Sequence, residues 1–229
     1  MKPELSAEAL TRYIDHTLLK PDATAKDIIN LCNEALAHGF HAVCVNGSRV
    51  LQAHARLEDS AVKIVAVAGF PLGASDTDAK RLEVESAIEN GAQEIDVVLN
   101  IGRLKDGDHR YVLRELHDIV EAAEERPVKV ILETSLLTRE EKILACQLAV
   151  EAGAQFVKTS TGFAAGGATL DDVRLLRETV GEKFGVKASG GIRNTATALA
   201  MIEAGATRLG TSASVAIVEG ISGEGQGSY

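Results

Sequence analysis

The sequence predicts an α/β protein built as one closed (β/α)8 barrel, the TIM-barrel architecture. One segment recurs along the chain: an amphipathic helix that closes on a glycine, followed by a short strand rich in valine and isoleucine. Strict alternation of strands and helices implies a parallel sheet, and eight such units fit a chain of 229 residues. A doubly wound open sheet is the main alternative, but no glycine-rich dinucleotide fingerprint follows the first strand.

Three helix ends show the pattern most clearly, at Gly91, Gly153 and Gly205, each followed by alanine and then a strand. The predicted strands cover residues 13–18, 41–45, 62–68, 94–99, 128–133, 156–158, 185–189 and 208–210. The predicted helices cover residues 24–37, 48–57, 77–90, 108–125, 138–152, 170–180, 195–204 and 214–219.

Composition favours a single enzyme domain over residues 1–229, with a flexible tail at 220–229 because that segment is rich in glycine and serine. The net charge of −9 argues against nucleic acid as a partner, and no apolar stretch is long enough for a membrane. The N-terminus lacks an apolar signal region, and Cys32, Cys44 and Cys146 match neither a metal site nor paired disulfides. We therefore expect a cytoplasmic location.

Two lysines lie in segments that otherwise read as buried strands. Lys158 follows Phe156-Val157, and Lys187 lies within Gly185-Val186-Lys187-Ala188-Ser189; each precedes a glycine-rich turn. A buried ammonium without a partner is costly, so such an amine tends to lose its proton and becomes a nucleophile toward carbonyls. One such lysine could simply reach solvent from a strand end, but two favour Schiff-base chemistry, with each lysine opposing protonation of the other.

Acidic residues are predicted at the same carboxyl ends of the strands, where barrels of this kind hold their active sites. Asp96 lies in an apolar strand and would face the interior with Lys158, where it could transfer protons. Glu133 ends the fifth strand, and the sequence leaves open whether it pairs with a lysine or transfers a proton. Asp15 and Thr17 could orient substrate hydroxyls or cap a turn, and His16 between them is weak evidence for a site.

Glycines and small hydroxyl residues follow the last three strands and predict a phosphate-binding cup. Backbone N–H groups at such turns bind anions, and the loops after strands seven and eight are the usual phosphate site of these barrels. Glycines that merely form tight turns are the simpler reading of any one position. The residues of the predicted cup are Thr161, Gly162, Gly190, Gly191, Arg193, Gly210 and Ser212.

The sequence resembles the deoxyribose-phosphate aldolase family over nearly its whole length. The resemblance rests on Ile14-Asp15-His16-Thr17-Leu18-Leu19, Phe70-Pro71-Leu72-Gly73, Glu94-Ile95-Asp96-Val97-Val98, Glu133-Thr134, Val157-Lys158-Thr159-Ser160-Thr161-Gly162, Lys187-Ala188-Ser189-Gly190-Gly191-Ile192-Arg193 and the terminal Tyr229. It implies a class I aldolase that reversibly cleaves 2-deoxy-D-ribose 5-phosphate to acetaldehyde and D-glyceraldehyde 3-phosphate, without metal or other cofactor, as a homodimer or homotetramer.

The resemblance also implies residue roles. Lys158 matches the Schiff-base lysine, Lys187 the second lysine that lowers the pKa of the first, and Asp96 the proton-transfer acid. Tyr229 matches a tyrosine that assists proton transfer. Asp15, Thr17 and Cys44 fall where the family contacts its substrate, as do the residues of the predicted cup.

Two positions depart from the family pattern. Phe163 stands where some members carry lysine, so the phosphate charge would rest on Arg193 and backbone amides, and Ala213 stands where serine is frequent. Two other functions remain compatible with the residues: a different sugar-phosphate aldolase or isomerase, and a non-catalytic sensor of a phosphorylated ligand. The sensor has no use for two buried lysines beside an acid.

Overall fold

The computed structural model describes residues 6–220, and within them eight parallel strands close into a barrel in sequence order. The predicted fold class is therefore confirmed. The strands are β1 Ile14–Leu18, β2 Ala42–Asn46, β3 Lys63–Ala68, β4 Glu94–Val98, β5 Val128–Ile131, β6 Phe156–Lys158, β7 Gly185–Ser189 and β8 Arg208–Thr211. Strand β8 pairs with β1 and closes the sheet.

Helices cover the outside of this barrel. They are α1 Ala7–Thr11, α2 Ala25–His38, α3 Val50–Leu57, α4 Thr77–Glu89, α5 Ile101–Lys105, α6 His109–Ala122, α7 Arg139–Glu151, α8 Leu170–Val180, α9 Thr195–Glu203 and α10 Ser214–Val218. Single 3-10 turns lie at Gly47–Arg49 and Thr134–Leu136. In the described part of the chain, no helix combines the length and apolar character needed to cross a membrane.

Local sequence signals start and stop these helices. Thr24 and Thr138 each form a capping box, with Asp27 and Glu141 returning a hydrogen bond to the cap. Helix α2 ends at Gly39, whose left-handed φ of 66° suits a glycine. Such signals act within one turn of the chain, so the helix positions follow closely from the sequence.

The structure corrects three boundaries. The predicted helix 108–125 ends at Ala122, because Glu124 and Glu125 have left-handed φ angles of 48° and 65°. The predicted strand 128–133 ends at Ile131, and Glu133 also has a positive φ of 56°. Helix 48–57 begins as a 3-10 turn, and the short helices α1 and α5 were not predicted from the sequence.

The barrel interior has two chemically different halves. A small apolar cluster lines the side of β2 and β3 and consists of Leu19, Ala42, Cys44, Val65 and Val67, with Phe70 packed against it. Several inward positions of the other strands carry buried charged side chains instead. The large apolar core lies between the sheet and the helices, so the interior of the barrel is available for chemistry.

Candidate active site

Four strands bring the predicted catalytic residues together inside the barrel. Lys158 Nζ on β6 lies 2.9 Å from Asp96 Oδ2 on β4, and Lys187 Nζ on β7 lies 2.8 Å from the same oxygen. Lys187 Nζ also lies 2.5 Å from Asp15 Oδ2 on β1. The expectation of unpaired lysines is therefore wrong, because barrel closure brings carboxylates from β1 and β4 against both amines.

Three further ionic residues, which the sequence reasoning missed, extend this contact into a ring. Lys129 Nζ lies 2.9 Å from Asp96 Oδ1 and 2.6 Å from Glu94 Oε2. Arg208 lies 3.2 Å from Glu94 Oε2 and 2.8 Å from Asp15 Oδ1. With Lys187, which joins Asp15 to Asp96, six side chains of alternating charge form a closed ring, here called the six-charge ring. Lys158 lies outside it and contacts Asp96 alone among its carboxylates.

A signal for Lys129 was present in the sequence. It lies between valines in Val128-Lys129-Val130, the same pattern of a lone charge in an apolar strand that singled out Lys158. Phe156 packs against the six-charge ring. The cationic groups of Lys129 and Arg208 lie 5.8 and 5.5 Å from the centre of the aromatic ring of Phe156. A side chain at Gly185 would place its Cβ 2.0 Å from Phe156 Cδ1, so this glycine makes room for the aromatic floor.

The ring holds its members in their charged forms. Burial alone would raise the pKa of Asp96, but Lys129, Lys158 and Lys187 outweigh burial and hold that pKa well below its usual range. Burial would lower the pKa of Lys187, but Asp15 and Asp96 outweigh it and raise that pKa above its ordinary value. Lys187 is therefore held as a cation in the resting protein, and it contacts the same Asp96 oxygen as the amine of Lys158.

Asp15 is a member of the six-charge ring, and its contact with the sugar stays a prediction. It is fully buried, and its two carboxylate oxygens are engaged by Lys187 and Arg208. Burial opposes its ionisation, but Lys187 and Arg208 outweigh burial and lower its pKa. Thr17 donates its hydroxyl to the Asp15 carbonyl at 2.8 Å, so it stabilises this strand end from within.

Glu133 neither pairs with a lysine nor lies in the six-charge ring. Its Oε2 accepts hydrogen bonds from the backbone N–H and the hydroxyl of Thr161, the former at 3.1 Å. Among residues 6–220 it takes part in no ion pair, so of the two roles that the sequence left open, pairing with a lysine is not found and proton transfer stays a hypothesis. The left-handed backbone at Glu133 turns its side chain toward the loop after β6, and Glu133 thus anchors that loop.

The loops after β6 and β7, which carry much of the predicted phosphate cup, pack directly on each other. The N–H of Ala168 donates to the carbonyls of Ser189 and Gly190 at 3.1 and 3.0 Å. A Cβ at Gly167 would lie 2.5 Å from the Gly190 oxygen, so only glycine allows this close approach. Gly162, half-buried, lies in the first of these loops, between Thr161 and Phe163.

The loop after β8 joins the same part of the rim. Thr211 donates its hydroxyl to the Ile192 carbonyl at 2.7 Å, which ties this loop to the one after β7. Gly191, Arg193 and Ser212 are exposed there. The structure thus brings these residues to one rim, and their contact with phosphate stays a prediction.

Two predicted site residues lie inside the barrel. Gly210 faces the interior, where an added Cβ would lie 3.1 Å from Lys187 Cε, so its lack of a side chain makes room for that lysine, and its contact with phosphate stays a prediction. Cys44 is fully buried in the apolar half of the interior, where burial raises the pKa of its thiol. Tyr229 lies outside the described residues.

A parallel barrel with a buried amine at a strand end, held beside a carboxylate, has the features of an enzyme that forms Schiff bases with carbonyl compounds. The model of the DeoC/LacD family aldolases matches residues 10–222. The chain belongs to this aldolase family, and the resemblance seen in the sequence is confirmed.

Individual relatives agree with this family. The chain is 59% identical over 215 residues to the deoxyribose-phosphate aldolase of Thermococcus gammatolerans, covering 92% of this chain and 96% of that protein. It is 58% identical over 210 residues to that of Alkaliphilus oremlandii, covering 91% and 95%. The tetrameric deoxyribose phosphate aldolase structure from Aeropyrum pernix superposes with a TM-score of 0.88 at 37% identity, covering 93% of this chain and 91% of that one.

Proposed function

We propose that this chain is a class I deoxyribose-phosphate aldolase in which Lys158 forms the Schiff base. It reversibly cleaves 2-deoxy-D-ribose 5-phosphate to acetaldehyde and D-glyceraldehyde 3-phosphate. The observation that carries the assignment of the lysines is the shared Asp96 oxygen, 2.9 Å from Lys158 Nζ and 2.8 Å from Lys187 Nζ.

Charge balance distinguishes the two lysines. The six-charge ring holds three acidic and three basic groups, so Lys158 is a basic group in excess of the carboxylates of that ring. Lys187 is bound by two carboxylates and keeps its proton, whereas Lys158 has one carboxylate that it must share. We therefore assign the attack on the carbonyl to Lys158, an attack that requires the lone pair of the amine.

The reaction then follows from ordinary imine chemistry. Lys158 adds to C1 of the open-chain sugar and expels water, which leaves an iminium ion that draws electrons from the C2–C3 bond. The C3 hydroxyl loses its proton as that bond breaks, which releases D-glyceraldehyde 3-phosphate and leaves an enamine. Protonation of the enamine at C2 and hydrolysis of the imine release acetaldehyde. Asp96 with Lys187 transfers these protons, directly or through water.

The predicted cup holds the far end of the substrate. Its exposed members Gly191, Arg193 and Ser212 supply backbone N–H groups, a guanidinium and a hydroxyl for the phosphate. Binding energy from the phosphate positions C1 against the Lys158 amine. We infer that the chain also forms a homo-oligomer, as the tetrameric relative does; light scattering that gives the mass of a monomer at micromolar concentration would contradict this.

Trapping the imine tests the assignment. The protein is incubated with acetaldehyde and borohydride, digested and mapped by mass spectrometry. We expect a reduced ethyl adduct on Lys158 only, with the exposed Lys183 as an internal control for nonspecific labelling. Lys158→Leu should abolish the adduct and turnover, and a chelator should change neither. An adduct on Lys187 would reverse the two roles, and turnover without any adduct would overturn the mechanism.

A further inference from the structure

A chain of hydrogen bonds joins helix α2 to the loop after β8, behind the strand that carries Asp15. His16 Nδ1 lies 2.9 Å from Ser214 Oγ, and His16 Nε2 lies 2.7 Å from Glu34 Oε2. His16 is 4% exposed and Ser214 is fully buried, whereas the Glu34 side chain is half exposed. These contacts lie outside the six-charge ring. They also differ from a surface ion pair, because His16 and Ser214 are buried.

The chain continues into the loop formed by residues 211–214. Ser214 Oγ donates to the Thr211 carbonyl at 3.1 Å, and the Thr211 hydroxyl accepts from the N–H of Ala213 at 3.0 Å. The same hydroxyl donates to Ile192 in the loop after β7. Ser212, the exposed hydroxyl of the predicted cup, therefore lies between two anchored residues.

Strand alternation separates this chain of contacts from the chemistry. His16 pairs with Thr211 across β1 and β8, while the preceding pair, Asp15 with Gly210, faces the barrel interior beside Lys187. Strands β1 and β8 thus carry Asp15 and Arg208 of the six-charge ring on their inner face, and His16, which contacts loop 211–214 through Ser214, on their outer face. A change at His16 can alter the loop without touching an interior charge.

We propose that His16, held by Glu34, is a positioning residue for the substrate phosphate. Through Ser214 it orders loop 211–214, so that Ser212 and its backbone are in place before the phosphate arrives. The proposal rests on the proposed function and extends it to residues outside the catalytic interior. Without the anchor, the substrate itself must order the loop, which weakens binding of phosphorylated substrates and leaves the chemical step unchanged.

Two substitutions at His16 separate its two hydrogen bonds. The amide of Asn lies near the position of Nδ1 and can keep the contact with Ser214, whereas the amide of Gln reaches the position of Nε2 and can keep the contact with Glu34. Ser214→Ala removes the loop contact from the other side. Glu34→Ala removes the outer partner at a half-exposed position, so this variant tests the proposal even if a core variant does not fold.

The assay compares 2-deoxy-D-ribose 5-phosphate with unphosphorylated 2-deoxy-D-ribose. We expect H16Q and S214A to raise KM for the phosphorylated sugar about tenfold, the effect of losing one buried hydrogen bond, with kcat within about twofold. H16N and E34A should show a smaller rise, and kcat/KM for the unphosphorylated sugar should not change. His54→Asn is the control, because His54 on α3 pairs with Glu58, the residue after that helix, at 3.9 Å and lies outside loop 211–214.

An equal fall in kcat/KM for both sugars would overturn the proposal. So would four variants that all keep the ratio of kcat/KM for the phosphorylated sugar to kcat/KM for the unphosphorylated sugar. Trapping with acetaldehyde and borohydride is run in parallel on every variant. An adduct on Lys158 with an unchanged ratio contradicts only the role of His16. The absence of an adduct in the unsubstituted protein contradicts the proposed function itself.

Discussion

At the scale of single residues, Lys158 differs from the other interior lysines in its neighbours and not in its burial. Lys129 and Lys187 are as buried as Lys158, yet each bridges two carboxylates. Burial opposes the charge of Lys129, but Asp96 and Glu94 outweigh it and raise its pKa. A lysine that bridges two carboxylates keeps its proton, so the ion pairs support the proposal that Lys158 is the nucleophile.

Phe163 is the residue for which a change in substrate preference is expected. It is 39% exposed and stacks edge to face on Phe70, with ring centres 5.3 Å apart. Phe163→Lys places a cation beside Gly162, so KM for 2-deoxy-D-ribose 5-phosphate should fall about threefold at low salt and by less at about 0.5 M salt. Steady-state kinetics with the unphosphorylated sugar and the variant Phe163→Leu are the controls. A similar fall with the unphosphorylated sugar would show that charge is not the cause.

At the scale of secondary structure elements, a buried ion pair joins two outer helices to the end of β4, the strand that carries Asp96. Lys80 on α4 lies 2.7 Å from Glu115 on α6, and both side chains are fully buried. Lys80 also donates to the carbonyl of Val98, the last residue of β4, at 3.1 Å. Because Asp96 lies two residues earlier on the same strand, this pair helps to hold Asp96 in the interior.

Breaking this pair should destabilise the protein strongly. Lys80→Met leaves the Glu115 carboxylate buried without its cation, and we expect the free energy of unfolding to fall by about 3–5 kcal/mol. The double variant Lys80→Met with Glu115→Leu should recover most of that loss, since neither charge remains buried. Urea unfolding measures both. Arg81→Met, in a half-exposed pair with Asp78 at 3.4 Å, is the control and should change stability by less than about 0.5 kcal/mol. A comparable loss in that control would contradict the special role of the buried pair.

At the scale of the whole molecule, the six-charge ring can form only when the barrel is closed. Its members come from β1, β4, β5, β7 and β8, so no local segment can form it. Half of the interior is thus ionic, whereas Cys44, Val65 and Val67 make the opposite wall apolar. Such an interior gives up some hydrophobic burial in exchange for a charged site that is present only when the barrel is closed.

The ring predicts how stability depends on pH. The folded-state pKa values of Asp15, Glu94 and Asp96 lie below their ordinary values of 3.8, 4.5 and 3.8, so the unfolded chain takes up protons first in acid. Their contribution is present above about pH 5 and is lost as the pH falls through about 4 and below. Lys129 and Lys187 have pKa values raised above 10.5, so their contribution is lost only as the pH rises beyond that value.

Urea unfolding at a series of pH values checks this profile. We expect a plateau between about pH 5 and about pH 10, with a decline on both sides of it. The variant Asp15→Asn should show a shallower acid limb than the unsubstituted protein, because one carboxylate fewer is protonated on unfolding. A free energy of unfolding that stays constant from about pH 5 to about pH 3 would contradict the charged state assigned to the ring.

The residues to which the proposed mechanism assigns the chemistry can be predicted from local patterns. Lys158, Lys187 and Asp96 each interrupt an apolar strand, and strand alternation is sufficient to point them toward one interior. Their partners were not accessible in the same way. Lys187 meets Asp15 across 172 positions of the chain, and His16 meets Ser214 across 198 positions.

The sequence by itself determined the alternation of strands and helices, the fold class and the lysines at the strand ends, because periodicity, capping and turn chemistry act over a few residues. Tertiary structure decided the protonation pattern, since it depends on which charges meet when β8 closes against β1. The contact of Glu133 with Thr161 and the packing of Lys187 against Gly210 likewise follow only from the tertiary structure. Electrostatic interactions and close packing depend on distance in space, which only the closed barrel specifies.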